Sequence, residues 1–180
     1  MSEPQLLGKF PSILCSNVMD TSEVGKALAN CLYCGLLVLL SGELGSGKTE
    51  LVRSIGRTLG IADIKSPTFA IESVYRPAER DFILVHADLF RLDDPSGEIE
   101  QLEAYLMEDC AVIVEWGDMW KNPPVNNRWD IEITSGSGDE DENRRMMSMA
   151  GFGMDALSRL SEAYLRMPDA VIAGGGRSCR

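Results

Sequence analysis

The 180-residue chain is 44% hydrophobic and 25% charged, which suits one globular domain, and its five scattered cysteines do not make the even framework of a small secreted scaffold. A formal net charge of −11 argues against unaided, tight binding of nucleic acid, which needs a basic face to displace counterions, and favours docking to a basic protein partner. No apolar run is long enough to span a bilayer, and Met1 to Phe10 lacks the basic start and apolar stretch of a signal peptide, so a cytoplasmic location is expected.

Phe10 to Cys15 reads as a first strand. A helix is expected from Asp20-Thr21-Ser22-Glu23, with an Asp or Thr cap, an acid in the first turn, and Val24, Ala27, Leu28 and Cys31 at helical spacing up to Gly35. Cys31 and Cys34 have CxxC spacing, but there is no second pair and His86 is the sole histidine, so ordinary thiols are expected rather than zinc ligands. Leu36 to Ser41 is uniformly apolar up to its last residue, as in a strand covered on both faces. Lys48 to Leu59 is helical, with Leu51, Val52, Ile55 and Leu59 on one face and Gly60 as terminator.

Phe69 to Arg76 reads as extended, Pro77 to Asp81 as a turn, and Phe82 to His86 as another apolar strand. Ser96 to Met107 reads as a helix with an acidic outer face, and Ala111 to Val114 as a buried strand ending at Glu115-Trp116. Trp129–Thr134 and Arg144–Ala150 form a candidate hairpin around an acidic loop, followed by a helix from Met154 to Arg166 and a glycine-rich tail expected to fray. Alternating strands and helices predict an α/β three-layer sandwich with a central, largely parallel mixed sheet. The expected division is a main domain over 1–150 and a helical extension with tail over 151–180.

Gly42-Glu43-Leu44-Gly45-Ser46-Gly47-Lys48-Thr49 matches G-x-x-x-x-G-K-[ST] between an apolar strand and an amphipathic helix. In such a loop, glycines let consecutive backbone N–H groups turn inward at phosphate oxygens, and the helix N-terminus adds partial positive charge. Gly42, Leu44, Gly45, Ser46 and Gly47 are therefore candidate phosphate-cradle residues. Lys48 is placed to reach the outer phosphates, and the Thr49 hydroxyl to meet Mg2+. A second acid for the metal belongs at the end of a neighbouring buried strand. Asp88 and Glu115 are both candidates.

In this order, the phosphate loop, Ser66-Pro67-Thr68-Phe69, His86-Ala87-Asp88-Leu89-Phe90-Arg91 and Glu115-Trp116 resemble the TsaE (YjeE) family. Those are bacterial P-loop ATPases of tRNA threonylcarbamoyladenosine biosynthesis, and the resemblance spans roughly residues 15 to 150. It implies an ATP- and Mg2+-dependent hydrolase that resets a transferase complex. The implied partners are a threonylcarbamoyl transferase subunit and its non-catalytic paralogue (TsaD and TsaB type), which hold the tRNA. It implies roles for Lys48 at the phosphates, Thr49 and Glu115 at the metal, and Asp88 in hydrolysis. It also implies Ser66 and Thr68 as a γ-phosphate-sensing switch, Trp116 near the nucleotide and Val18 near the base. Two positions depart from the pattern: Glu50 replaces a common threonine, and Phe90 replaces the tyrosine of HxDxYR. Glu50 is compatible with slowed hydrolysis or with an outward-pointing side chain. A small-molecule kinase and a nucleotide-bound assembly factor without useful turnover are the alternatives; a GTPase lacks its Asn-Lys-x-Asp segment here.

Overall fold

The computed structural model describes residues 8–65, 71–124, 126–136 and 143–172. Ser66 and Thr68, the start of the extended segment at Phe69, most of the acidic loop and the glycine-rich tail lie outside the described residues.

The chain opens with β1 (Gly8–Cys15) and α1 (Val18–Ala29). The start of α1 differs from expectation because a different side chain takes the capping role. Asn17 accepts from the Met19 and Asp20 amides at 2.8 and 3.1 Å, while Asp20 reaches back to the Ser16 amide at 2.7 Å. Two orphan amides are thus served before Thr21 is reached. The helix also stops earlier, at Ala29. Gly35, with φ +78°, instead turns the chain into β2 (Leu37–Ser41).

After β2 come α2 (Lys48–Thr58), β3 (Glu72–Tyr75), β4 (Ile83–Asp88), α3 (Ser96–Leu106) and β5 (Cys110–Glu115). β6 (Arg128–Ser135), β7 (Arg145–Phe152) and α4 (Met154–Arg166) complete the fold. Among the described residues the strands form one seven-stranded sheet in the order β1-β7-β6-β2-β5-β4-β3. The central pairings β6–β2, β2–β5 and β5–β4 are parallel, and the outer ones are antiparallel. The α/β sandwich with a mixed sheet is thus as expected, with its parallel part confined to the centre.

Strand alternation sorts the core into two layers. Val38, Leu40, Leu84, Ala111 and Ile113 pack with Val24 and Leu28 of α1, Leu51 and Ile55 of α2, and Ala156 and Leu160 of α4. Leu37, Leu39, Val85, Ala87, Val112 and Val114 pack with Leu102 of α3 and with Trp120. Each fully buried aliphatic side chain stabilises the fold by about 1.5–3 kcal/mol. The two layers therefore explain why the central strands read as continuous apolar runs rather than alternating ones. Among the described residues no helix is long and apolar enough to cross a membrane.

Position 151, where the sequence reading divides the chain, lies within β7. The helix beyond it shares the larger core cluster through Ala156, Leu160 and Ala163. Trp129 of β6, fully buried, also donates from Nε1 to the Ala156 carbonyl at 2.7 Å. Trp129→Ala is expected to cost about 3–5 kcal/mol, read as a lower urea midpoint, because it opens a cavity beneath α4 as well as breaking that bond. A loss below about 1 kcal/mol would mean that α4 is not part of the same cooperative core.

Candidate functional site

The phosphate loop leaves β2 at Ser41 and becomes α2 at Lys48. Its glycines Gly42, Gly45 and Gly47 all have positive φ, at +135°, +79° and +106°. Gly42 has a second constraint: a Cβ there would stand 2.1 Å from the Ile133 carbonyl oxygen of β6, so no other residue fits without moving the strand. Gly47 caps α2 and contributes no side-chain hydrogen bond, so the first-turn amides keep their capacity for an anion. Ser46 is buried beneath the loop, whereas Leu44 is exposed at its tip.

Lys48 is only 4% exposed, although it carries a charge. Its Nζ donates to the Gly42 carbonyl at 2.7 Å and to the Glu43 carbonyl at 2.9 Å, and it lies 4.0 Å from the centroid of the Trp116 ring. Burial pulls its ammonium below the ordinary lysine range, against the opposing attraction of Glu115, Asp88 and Asp118. The amine therefore sits inside the loop on carbonyl acceptors that it can exchange for phosphate oxygens.

Thr49 donates from Oγ1 to Glu115 Oε2 at 2.7 Å. Glu115, the last residue of β5, is 2% exposed, and its other oxygen lies 2.9 Å from Nε2 of the fully buried His86. The same strand alternation that buries Leu84 and Ile113 toward α2 puts His86, Asp88 and Glu115 on that face. Asp88 is the register partner of Glu115, and its Oδ1 accepts from the Phe90 amide at 3.0 Å.

Trp116 follows Glu115 in the left-handed region, with φ 59° and ψ 42°. Such a backbone is uncommon outside glycine and is concentrated at functional sites. It turns the indole over Lys48, where the Phe90 ring stacks on it at 4.4 Å. The missing tyrosine hydroxyl at Phe90 therefore leaves the ring contact in place.

Glu50, the other departure, faces away from this cluster. It accepts from Arg57 at 2.8 Å and pairs with Arg53 at 3.7 Å, forming an ion-pair row along the outer side of α2. Val18 is the first residue of α1 and is 63% exposed. Three residues earlier, Cys15 pairs with Arg145 of β7, and Arg145 donates to the Gly45 carbonyl at 3.4 Å.

The structure brings together Lys48, Thr49, Asp88, Glu115 and Trp116. Ser66 and Thr68 lie outside the described residues. Two participants were given no role by the sequence. His86 stands two residues before Asp88, and strand alternation alone could have placed both on one face. Arg145 has no local signal, since its contact with the loop depends on β6 pairing with both β7 and β2. Among the described residues no group of three His, Cys, Asp or Glu side chains is arranged to hold a metal.

The chain is similar to known proteins. A family model described as threonylcarbamoyl adenosine biosynthesis protein TsaE matches residues 15–146. The tRNA threonylcarbamoyladenosine biosynthesis protein TsaE of Streptomyces coelicolor is 37% identical over 133 residues, covering 73% of this chain and 90% of its own. The Synechocystis protein of the same name is 45% identical over 101 residues, covering 53% of this chain and 63% of its own. The crystal structure of Bacillus subtilus YdiB superposes with a TM-score of 0.71 over 89% of this chain and 97% of that one, at 23% identity, a likeness of fold. The match to the family runs from the last residue of β1 into β7 and takes in the whole phosphate loop and both strand-end acids, and on that ground the chain belongs to the TsaE family.

Proposed function

We propose that this chain is the ATPase subunit of tRNA threonylcarbamoyladenosine biosynthesis, binding ATP with Mg2+ and hydrolysing it to support repeated turnover of a threonylcarbamoyl transferase complex in the cytoplasm. The observation that carries the reading is the pairing of Thr49 with Glu115 at 2.7 Å beside the buried Lys48. A hydroxyl and a buried carboxylate at the mouth of a phosphate loop form a donor set of hard oxygens, the chemistry that Mg2+ prefers. Thr49 and Glu115 would hold the metal, which when bound would neutralise charge on the outer phosphates.

Lys48 and the backbone of Gly42, Leu44, Gly45, Ser46 and Gly47 would cradle the phosphates. Asp88 would orient the attacking water, with its carboxylate held by the Phe90 amide. Val18 and Trp116 would flank the nucleotide, and Ser66 and Thr68 would sense its outer phosphate. The partners are a transferase subunit of TsaD type and its TsaB-type paralogue, with tRNA reached only through them. The net charge of −11 supports that division.

The assembly-factor alternative drew on Glu50 as a brake beside the metal. The pairing of Glu50 with Arg57 and Arg53 removes that support. Reconstituted modification of tRNA tests the reading: with the transferase pair limiting, adding this chain and ATP should convert a single round of threonylcarbamoyl transfer into many. Equal product with and without the chain would refute it.

A further inference from the structure

We propose that His86 is a positioning residue for the divalent metal: it pins one oxygen of Glu115 so that the other is presented to Thr49. The inference rests on the Mg2+–ATP reading above and adds a residue to it.

A glutamate carboxylate turns freely unless both oxygens are engaged. Here Oε1 is held by His86 Nε2 at 2.9 Å and Oε2 by the Thr49 hydroxyl at 2.7 Å. Both supporting residues stand on rigid elements, His86 within β4 and Thr49 in the first turn of α2. An ionised carboxylate only accepts, so the imidazole hydrogen that serves it is on Nε2. Nδ1 is buried and has no hydrogen-bond partner among the described residues. An imidazole kept only to fill space would give way to an apolar side chain, since an orphan buried nitrogen is a net penalty. The bond to Glu115 is what the ring adds over such a filler. Partners of this kind, one shell out from a metal, typically change metal affinity about 10–100-fold when removed.

The measurement is the gain in ADP affinity on adding Mg2+, taken as the ratio of Kd in EDTA to Kd in Mg2+ by calorimetry on the full chain. His86→Ala should lower that ratio about tenfold, and His86→Gln, whose amide can donate to the same oxygen, should restore most of it. Direct Mn2+ titration of the ADP complex by electron paramagnetic resonance should rank the variants in the same order. An unchanged ratio in folded His86→Ala, or equal loss in both variants, overturns the proposal. A wild-type ratio near one overturns the metal reading itself, and the proposal with it.

If His86→Ala does not fold, the wild-type protein still decides. His86 is the sole histidine, so the imidazole nitrogen resonances of tag-free protein belong to it alone. Mg2+ added to the ADP complex should shift the Nε2 signal. A signal that stays in place would contradict the proposal.

Discussion

Lys48→Ala is expected to fold normally and to lose nucleotide affinity by about 100-fold or more, on the order of 2.7 kcal/mol. The two halves have separate causes. The wild-type ammonium is almost wholly buried, and burial already disfavours its charge. Its short hydrogen bonds go to the Gly42 and Glu43 carbonyls of the loop. Removing it therefore relieves one buried charge while releasing two carbonyls of the loop and a long 3.5 Å contact to the buried Ser46 hydroxyl, and the change in stability is expected to be small. Nucleotide binding has no such compensation, because the multiply charged phosphates lose the one lysine inside the loop. Calorimetric titration with ADP and a parallel thermal melt measure both halves. Affinity within about threefold of wild type would mean that phosphates do not meet Lys48.

The second large effect is expected on turnover alone. Asp88→Ala should bind ATP close to normally and lose about 100- to 10,000-fold in hydrolysis, the range for a positioned group that handles a proton. Asp88 closes β4 directly opposite Glu115 of β5, on the face toward α2. That position lies beyond the carboxyl ends of parallel strands, where ligands of open α/β sheets sit. The Phe90 amide fixes one carboxylate oxygen at 3.0 Å, and Phe90 itself is stacked on Trp116. Asp88 is thus braced by the same residues that roof Lys48. Hydrolysis at the wild-type rate by Asp88→Ala would remove Asp88 from the mechanism and leave nucleotide binding untouched.

Much of this site could be read from the chain because its parts lie where local rules operate. The phosphate loop is an eight-residue pattern between a strand and a helix, and both flanks formed as read. Asp88 and Glu115 end runs of apolar residues, so their strand-end placement needed only the lengths of those runs. α4 spans Met154–Arg166, as its periodicity indicates. The start of α1 was less legible because Asn17, Asp20 and Thr21 are all competent caps. The choice of Asn17 rests on two hydrogen bonds that no sequence rule ranks above the others.

What escaped the sequence was set by register between strands far apart in the chain. His86 meets Glu115 only because β4 and β5 are adjacent, parallel and aligned as Asp88 to Glu115. Arg145 reaches Gly45 only because β6, the hairpin partner of β7, lies beside β2, the strand that leads into the loop. Glu50 is an intermediate case. Arg53 and Arg57 stand three and seven positions further along α2, on the same side of the helix, so its outward pairing was available from spacing. The apparent threat to the metal site came from reading Glu50 by its neighbour in sequence rather than by its neighbours on the helix surface.

Mg2+-dependent ATP hydrolysis by the purified chain, measured alone and with the TsaD- and TsaB-type pair, is the most direct test of the proposed function. Slow release of phosphate by the isolated chain, abolished by EDTA and accelerated severalfold by the pair, is the predicted result. Equal turnover with and without the pair, accompanied by transfer of phosphate to a small-molecule acceptor, would contradict it and identify a kinase.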